Sequence, residues 1–369
     1  MIRLFVSGII PTGHCPNIVL LIPFLSLLSC FSCKQRTTAE MDWLSGSAAE
    51  LMEEPVSAAG FSGAIALAAG EGVVWKNAYG TANRESNLPF STATPTYLAS
   101  VSKQFTAASI LLLQQDGKLC IEDPVSLYLS GLPEYMEEVR IRHLLQHTSG
   151  IQDYYQLVSP TPGFTNRDVL AIVQNLDGLK FTPGDRHEYS NTGYVLLSQI
   201  VESVSGISFG DFVTRNIFDK LGMYSSAVLD EASELPSGKA ISYPEEGKVA
   251  DYSFRTTGGG GIYSTADDLL RWHRALKNGK VIRRDLLEQE AWQPAVLQNG
   301  DTSFYGLGWR IDPEEAGVVW HDGTLEGYRT FFLHDDRRNL AVIVLNNSAY
   351  PDLEKLGWQL YLMIKERYE

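Results

Sequence analysis

The chain has 369 residues, 44% of them apolar and 11% aromatic, with a formal net charge of −14 and a pI near 5.0. That length buries a large core, in one big domain or two lobes. The charge opposes phosphate backbones and no basic patch interrupts it, which excludes nucleic acid as a partner.

The first forty residues differ in character from the rest. Ile18 to Leu28 is an apolar run with the length of a signal-peptide core, too short for a comfortable membrane span. Leu27-Leu28-Ser29-Cys30 follows the pattern of a bacterial lipobox, in which cleavage leaves a lipid-carrying cysteine at the new N-terminus. Residues 1–40 are therefore expected to be a leader, anchor and short linker. The protein would then be exported to the periplasm or cell envelope, with membrane attachment through Cys30. A plain cleaved signal with Cys30 incidental, or translation starting at Met41, stays open, because only Arg3 supplies positive charge ahead of the apolar run. Cys15, Cys30, Cys33 and Cys120 make no pair of Cys-x-x-Cys units, so neither a metal site nor a disulfide framework is implied.

In chain order, a helix is expected over Trp43 to Glu54. A strand over Phe61 to Gly70 follows, then a turn at Glu71-Gly72 and a return strand from Val73 to Tyr79, together an antiparallel hairpin. A helix runs from Ser100 through the apolar Leu111 to Leu113 and stops at Gly117. From about Lys118 to Tyr252 the pattern changes to shorter helices and long loops, with helical stretches in Ile141 to Gly150 and Val195 to Val204. Beyond the glycine run Gly258 to Gly261, strands return at Gly306 to Ile311, Val318 to His321, Thr330 to His334 and Leu340 to Asn346. An amphipathic helix, Leu353 to Tyr368, closes the chain. Sheet, helical insert and sheet again imply a sheet lobe from residues 41–117 and 253–369, and a mostly helical inserted lobe from residues 118–252. The active cleft is expected where they meet.

Three motifs carry chemistry. Ser100-Val101-Ser102-Lys103 puts a hydroxyl and an amine about one helical turn apart on one face. A serine becomes a useful nucleophile only when a neighbouring base takes its proton, and burial lowers a lysine pKa toward that role. Tyr189-Ser190-Asn191 precedes the Val195 helix; it is the only Tyr-x-Asn in the chain, and the Ser-x-x-Lys is likewise single. Trp320-His321-Asp322-Gly323-Thr324 follows a strand and leads to Gly327-Tyr328-Arg329 and another.

With Phe61-Ser62-Gly63, Asp116 to Leu119, Asp123-Pro124, Leu144 to Gly150, Pro183-Gly184 and the Gly258 to Ser264 segment, these motifs resemble the serine β-lactamase and penicillin-binding-protein superfamily. The resemblance is strongest to its class C, D-alanyl-D-alanine carboxypeptidase and esterase branch, and spans residue 44 to the C-terminus. It implies a β-lactamase/transpeptidase-like fold: α/β plus α, an antiparallel sheet flanked by helices with a mostly helical inserted lobe. It also implies that Ser100 is acylated, that Lys103 accepts its proton, and that Tyr189 shuttles protons to the leaving group and to water. Asn191 would orient the substrate amide or acyl side chain. His321, Gly323 and Thr324 would contact substrate, with the N–H groups of Ser100 and Thr324 as the oxyanion hole. No cofactor and no metal are implied.

One departure stands out. Where many relatives carry Lys-Thr-Gly, this chain has His321-Asp322-Gly323. The Asp322 charge disfavours a substrate carboxylate unless it turns away or pairs with Arg329 or His321, and the missing lysine argues against efficient penicillin hydrolysis. His147 reads as a structural turn residue, and His143 and His273 as helix-surface or core residues. Trp309, Trp320 and Tyr328 line the cleft or pack in the core. Gly258 to Gly261 cradles an anion or forms a flexible edge, and a capping turn is the plainer reading of Tyr189 and Asn191. The expected activity is that of a serine hydrolase on amides or esters, with small-molecule or peptide substrates and no obligate protein partner. D-amino-acid peptides, esters and β-lactams all suit the same acylation chemistry. The rival is a non-catalytic penicillin-binding receptor.

Overall fold

The segment Leu340–Asn346 is apolar at nearly every position, the pattern of a strand covered on both faces, and all seven of its residues are buried. It sits inside a six-stranded antiparallel sheet in the computed structural model, which describes residues 38–57, 60–231, 233–244, 248–250 and 255–369. In chain order the elements that position the site are α1 (Thr38–Ser57), β1 (Gly63–Ala69), β2 (Gly72–Tyr79), α2 (Lys103–Gln115), α3 (Asn191–Ser205), α4 (Ala266–Asn278), β3 (Arg310–Ile311), β4 (Val318–Leu325), β5 (Tyr328–Asp335), β6 (Leu340–Asn346) and α5 (Leu353–Tyr368). The sheet order is β3-β4-β5-β6-β1-β2. The pairing of β1 on β6 joins the first strand of the chain to the last, with Ile65 opposite Val344 and Leu67 opposite Val342.

Period-two alternation divides the strands between two cores. Ile65, Leu67, Phe331, Leu333, Val342 and Val344 meet Leu356, Leu360 and Ile364 of α5 on one face. On the other, Ala64, Ala66, Ala68, Ile343 and Leu345 share a core with Phe105, Ile110 and Leu111 of α2 and Leu269 and Trp272 of α4. Gly357 is what lets α5 approach so closely, because a Cβ there would run into the Phe331 ring. Cutting Phe331 back to alanine would cost about 3–5 kcal/mol by the usual measure of a lost core aromatic.

The closing helix and the Leu340 strand begin and end where expected, and Gly117 follows α2 with φ +69°, a left-handed stop. The strand expected over Gly306 to Ile311 shrinks to Arg310–Ile311. Gly308 has φ +82° and a Cβ at Gly306 would strike the Ala291 carbonyl, so the earlier residues form a tight turn instead. The strand expected over Val318 to His321 continues through Leu325. Between α2 and α4 lie α3, shorter helices and long loops, and a small three-stranded sheet joins Thr96–Tyr97, ahead of α2, to Ala227–Val228 and Ile262–Ser264. The apolar leader and Cys30 lie outside the described residues. Among the described residues no helix is long and apolar enough to cross a membrane.

Candidate active site

Ser100 lies in a 3-10 turn, Ala99–Ser102, that runs directly into α2. Leu98 pins this turn from two sides: its N–H donates to the Ile262 carbonyl at 2.8 Å, and its carbonyl accepts from Thr330 Oγ1 at 2.7 Å. Ala99 is held at φ +47°, a region few residues with a side chain adopt. The expected helical face is thus realised, with the nucleophile on the turn and the lysine on the helix proper.

Lys103 is fully buried. Its Nζ lies 3.2 Å from Ser100 Oγ, 2.8 Å from Asn191 Oδ1 and 2.7 Å from the Gly259 carbonyl. A neutral amine has two N–H groups and one lone pair, so the two carbonyl-type oxygens take the hydrogens and leave the lone pair facing the serine hydroxyl. Burial pulls the Lys103 pKa down to about 7; the Asp153 and Asp322 charges pull against it and lose. A substantial neutral fraction at physiological pH follows.

Asn191 opens α3 and is aimed by a residue that the motif reading missed. Asp153 Oδ2 accepts both the Asn191 backbone N–H at 3.0 Å and its Nδ2 at 2.8 Å, which turns Oδ1 toward Lys103. The glycine run presents carbonyls rather than a ring of amides: Gly258 O accepts from Thr106 Oγ1 at 2.8 Å and Gly259 O from Lys103. It serves as a close-packed edge, since a Cβ at Gly260 would come within 2.6 Å of the Tyr97 hydroxyl.

Tyr189 brings its ring to 4.8 Å from Lys103 Nζ. Its hydroxyl is buried without a hydrogen bond of good geometry. Burial pushes the phenol pKa up, and the Ser100 side chain beside it offsets only part of that, so the phenol keeps its proton at neutral pH.

The third motif departs from expectation. His321 and Gly323 do not line the cavity. The His321 ring is buried in its wall, with Nδ1 2.6 Å from the Asp322 carbonyl and Nε2 2.9 Å from the Tyr305 hydroxyl. The carbonyl can only accept, so Nδ1 carries the proton and Nε2 accepts from Tyr305. Burial pulls the His321 pKa down to about 4 despite the Asp322 charge. A neutral imidazole therefore stands where a lysine cation is common. Gly323 is required because a Cβ would overlap Thr330 Oγ1 and the Leu98 carbonyl, separating β4 from the nucleophile turn. Asp322 pairs with Arg310 of β3, Nε to Oδ1 at 2.9 Å, and not with Arg329, whose Nη1 donates to the Tyr328 carbonyl. Burial works against the Asp322 carboxylate, but His321 and Arg310 outweigh it and hold its pKa below the usual range.

A cavity of about 260 Å³ opens onto Ser100 and Asn191; Lys103 and Tyr189 are not among its lining residues and lie behind them. Ser100, Asn191, Gly259 and Thr324 form its polar floor; Tyr97, Tyr154, Tyr155, Val195 and Leu325 form an aromatic and aliphatic wall, and no basic side chain lines it. Trp309, Trp320 and Tyr328 are absent from it: Trp309 packs on Phe332, Trp320 on Trp358, and Tyr328 donates to the Ala240 carbonyl. Among the described residues no cluster of His, Cys, Asp or Glu could hold a metal ion. The arrangement brings together a hydroxyl, a base of matched pKa and a protonated phenol.

Comparison with known proteins identifies the family of the chain. The Beta-lactamase family model matches residues 48–362. A penicillin-binding protein of Bacillus subtilis is 33% identical over 320 residues, covering 80% of this chain and 70% of that protein. A D-aminopeptidase of Gluconobacter oxydans is 29% identical over 306 residues, 79% of this chain and 57% of that protein. The crystal structure of a penicillin-binding protein from Bacillus halodurans superposes with a TM-score of 0.74 at 28% identity, over 87% of this chain and 99% of that one. With its fold, its motifs and the span of these matches in agreement, the chain belongs to the Beta-lactamase family.

Proposed function

We propose that this serine hydrolase cleaves amide or ester bonds of D-amino-acid substrates through an acyl-enzyme at Ser100. The observation that carries the reading is the Lys103 amine, buried, with a pKa near neutrality and its lone pair toward the Ser100 hydroxyl. Ser100 Oγ attacks the carbonyl carbon as Lys103 takes its proton. The backbone N–H groups of Ser100 and Thr324 stabilise the oxyanion, a contribution of about 10²–10³-fold per donor in comparable sites. The Tyr189 phenol passes a proton to the departing amine or alkoxide and regains one from the water that attacks the ester. Asn191 holds the acyl-side amide.

Substrate class follows from the cavity. Its aromatic wall suits an apolar acyl side chain, and the neutral His321 with the Asp322–Arg310 pair offers no free cation for a carboxylate. A D-aminoacyl amide or ester is therefore favoured over a penicillin or cephalosporin, and the similarity to a D-aminopeptidase supports the same choice. The test is kcat/KM for D-alanyl and D-phenylalanyl p-nitroanilides, p-nitrophenyl esters and nitrocefin. The D-aminoacyl substrates should lead; comparable nitrocefin turnover would favour a β-lactamase, and durable penicillin labelling without turnover a receptor. Export and lipid attachment at Cys30 remain part of the proposal on the strength of the leader sequence.

A further inference from the structure

Tyr189 sits in an irregular stretch before α3, where neither a helix nor a sheet ladder fixes it. Both backbone N–H groups that flank it end on one residue. Glu188 N–H donates to the His147 carbonyl at 2.8 Å, and Ser190 N–H donates to His147 Nδ1 at 3.1 Å. The His147 ring also lies against the Tyr189 ring, with centroids 4.1 Å apart and planes tilted by 35°. His147 itself is held at φ +57°, the left-handed region that side chains generally avoid. Strain of this kind persists where the surroundings over-determine it, and here it lets one residue serve the N–H groups on both sides of the phenol.

We infer that His147 is the positioning residue for the Tyr189 phenol, setting where the proton relay stands relative to Ser100 and Lys103; the inference rests on the relay reading of Tyr189. Because Nδ1 accepts from Ser190, the imidazole proton sits on Nε2, which has no hydrogen-bond partner. That nitrogen lies in a buried box with the rings of Tyr194, Tyr305 and His187. Burial, then the Lys103 charge, keeps His147 neutral and so preserves the acceptor. Its one polar side-chain duty is to hold the backbone beside Tyr189, so it acts through that residue.

Leaving-group dependence tests this. A p-nitroanilide needs a proton as it departs, whereas p-nitrophenolate leaves without one, so a misplaced relay lowers the ratio of anilide to ester kcat/KM. The ratio is measured on the full chain for one acyl group in wild type, His147→Ala, His147→Asn, Tyr189→Phe and the His147→Ala/Tyr189→Phe double variant. Asparagine tolerates the left-handed backbone and places Oδ1 at the branch position of Nδ1. The ratio should fall about tenfold or more in His147→Ala, the scale of a small misplacement of a reacting group. It should fall no further in the double variant than in Tyr189→Phe, and recover in His147→Asn. If His147→Ala does not fold, His147→Gln, which moves the acceptor one carbon outward, should show the same loss. An unchanged ratio in the folded His147 variants while Tyr189→Phe lowers it overturns the positioning role alone; an unchanged ratio in Tyr189→Phe overturns the relay reading and the inference together.

Discussion

Replacing Lys103 by arginine separates charge from basicity beside the nucleophile. A guanidinium keeps a cation near Ser100 and cannot take a proton at any accessible pH. In the native site the amine is 3.2 Å from Ser100 Oγ and is held by two further oxygens at 2.8 and 2.7 Å, so it is oriented as a base before substrate arrives. Positioned proton transfer contributes about 10²–10⁴-fold, so Lys103→Arg should lower kcat/KM by roughly 10³, about 4 kcal/mol. The Lys103 amine also sets the pH profile. The folded Lys103 pKa is depressed to about 7 by burial, and the active form is the deprotonated one. Activity therefore rises with pH through that value: about a tenth of the plateau at pH 6 and about nine-tenths at pH 8. The assay is kcat/KM for a D-alanyl p-nitroanilide across that range, alongside the variant. An acid limb centred below about pH 5, or an arginine variant retaining more than about a tenth of wild-type activity, would refute the base assignment.

Asp322→Asn removes the negative partner of Arg310, and the kcat/KM of nitrocefin relative to a neutral D-alanyl anilide should rise about tenfold, ~1.4 kcal/mol; an unmoved ratio would show that Asp322 does not select against carboxylates. Gly323→Ala drives a methyl into Thr330 Oγ1 and the Leu98 carbonyl, so calorimetry should find about 1–3 kcal/mol of destabilisation together with lost turnover; a stable, active variant would contradict the tight seating of β4 on the nucleophile turn. Cys30→Ser should abolish incorporation of labelled palmitate and move the protein from the detergent phase to the aqueous phase, whereas unchanged partitioning would remove the lipid anchor from the account.

Local signals carried the reading furthest where one element decides its own structure. Leu353–Tyr368 has a helical periodicity, Leu340–Asn346 is a short, β-branched apolar run of strand length, and Ser100 with Lys103 needs only helical pitch to meet. Residues that act across the fold left no such trace. Asp153 follows the Gln146 to Gly150 motif with nothing in its spacing to mark it, and it matters because the loop returns it to the N-terminus of α3. Arg310 becomes the partner of Asp322 only through the pairing of β3 with β4; Arg329 was the nearer candidate along the chain. His321 shows the opposite case: its place in the motif is plain, but burial is what keeps it neutral, and its Nε2 partner Tyr305 lies sixteen residues upstream. Even the truncated strand before Arg310 has a spatial cause, since Gly306 lies against the Ala291 carbonyl.

A covalent intermediate at one hydroxyl is central to the proposed reaction. Acid quenching during turnover of a slowly deacylated D-phenylalanyl ester, followed by tandem mass spectrometry, reads it directly. The expected result is the acyl mass on the peptide that contains Ser100, absent from Ser100→Ala, which should also have lost turnover. An adduct on another residue, or turnover that survives in Ser100→Ala, would contradict it.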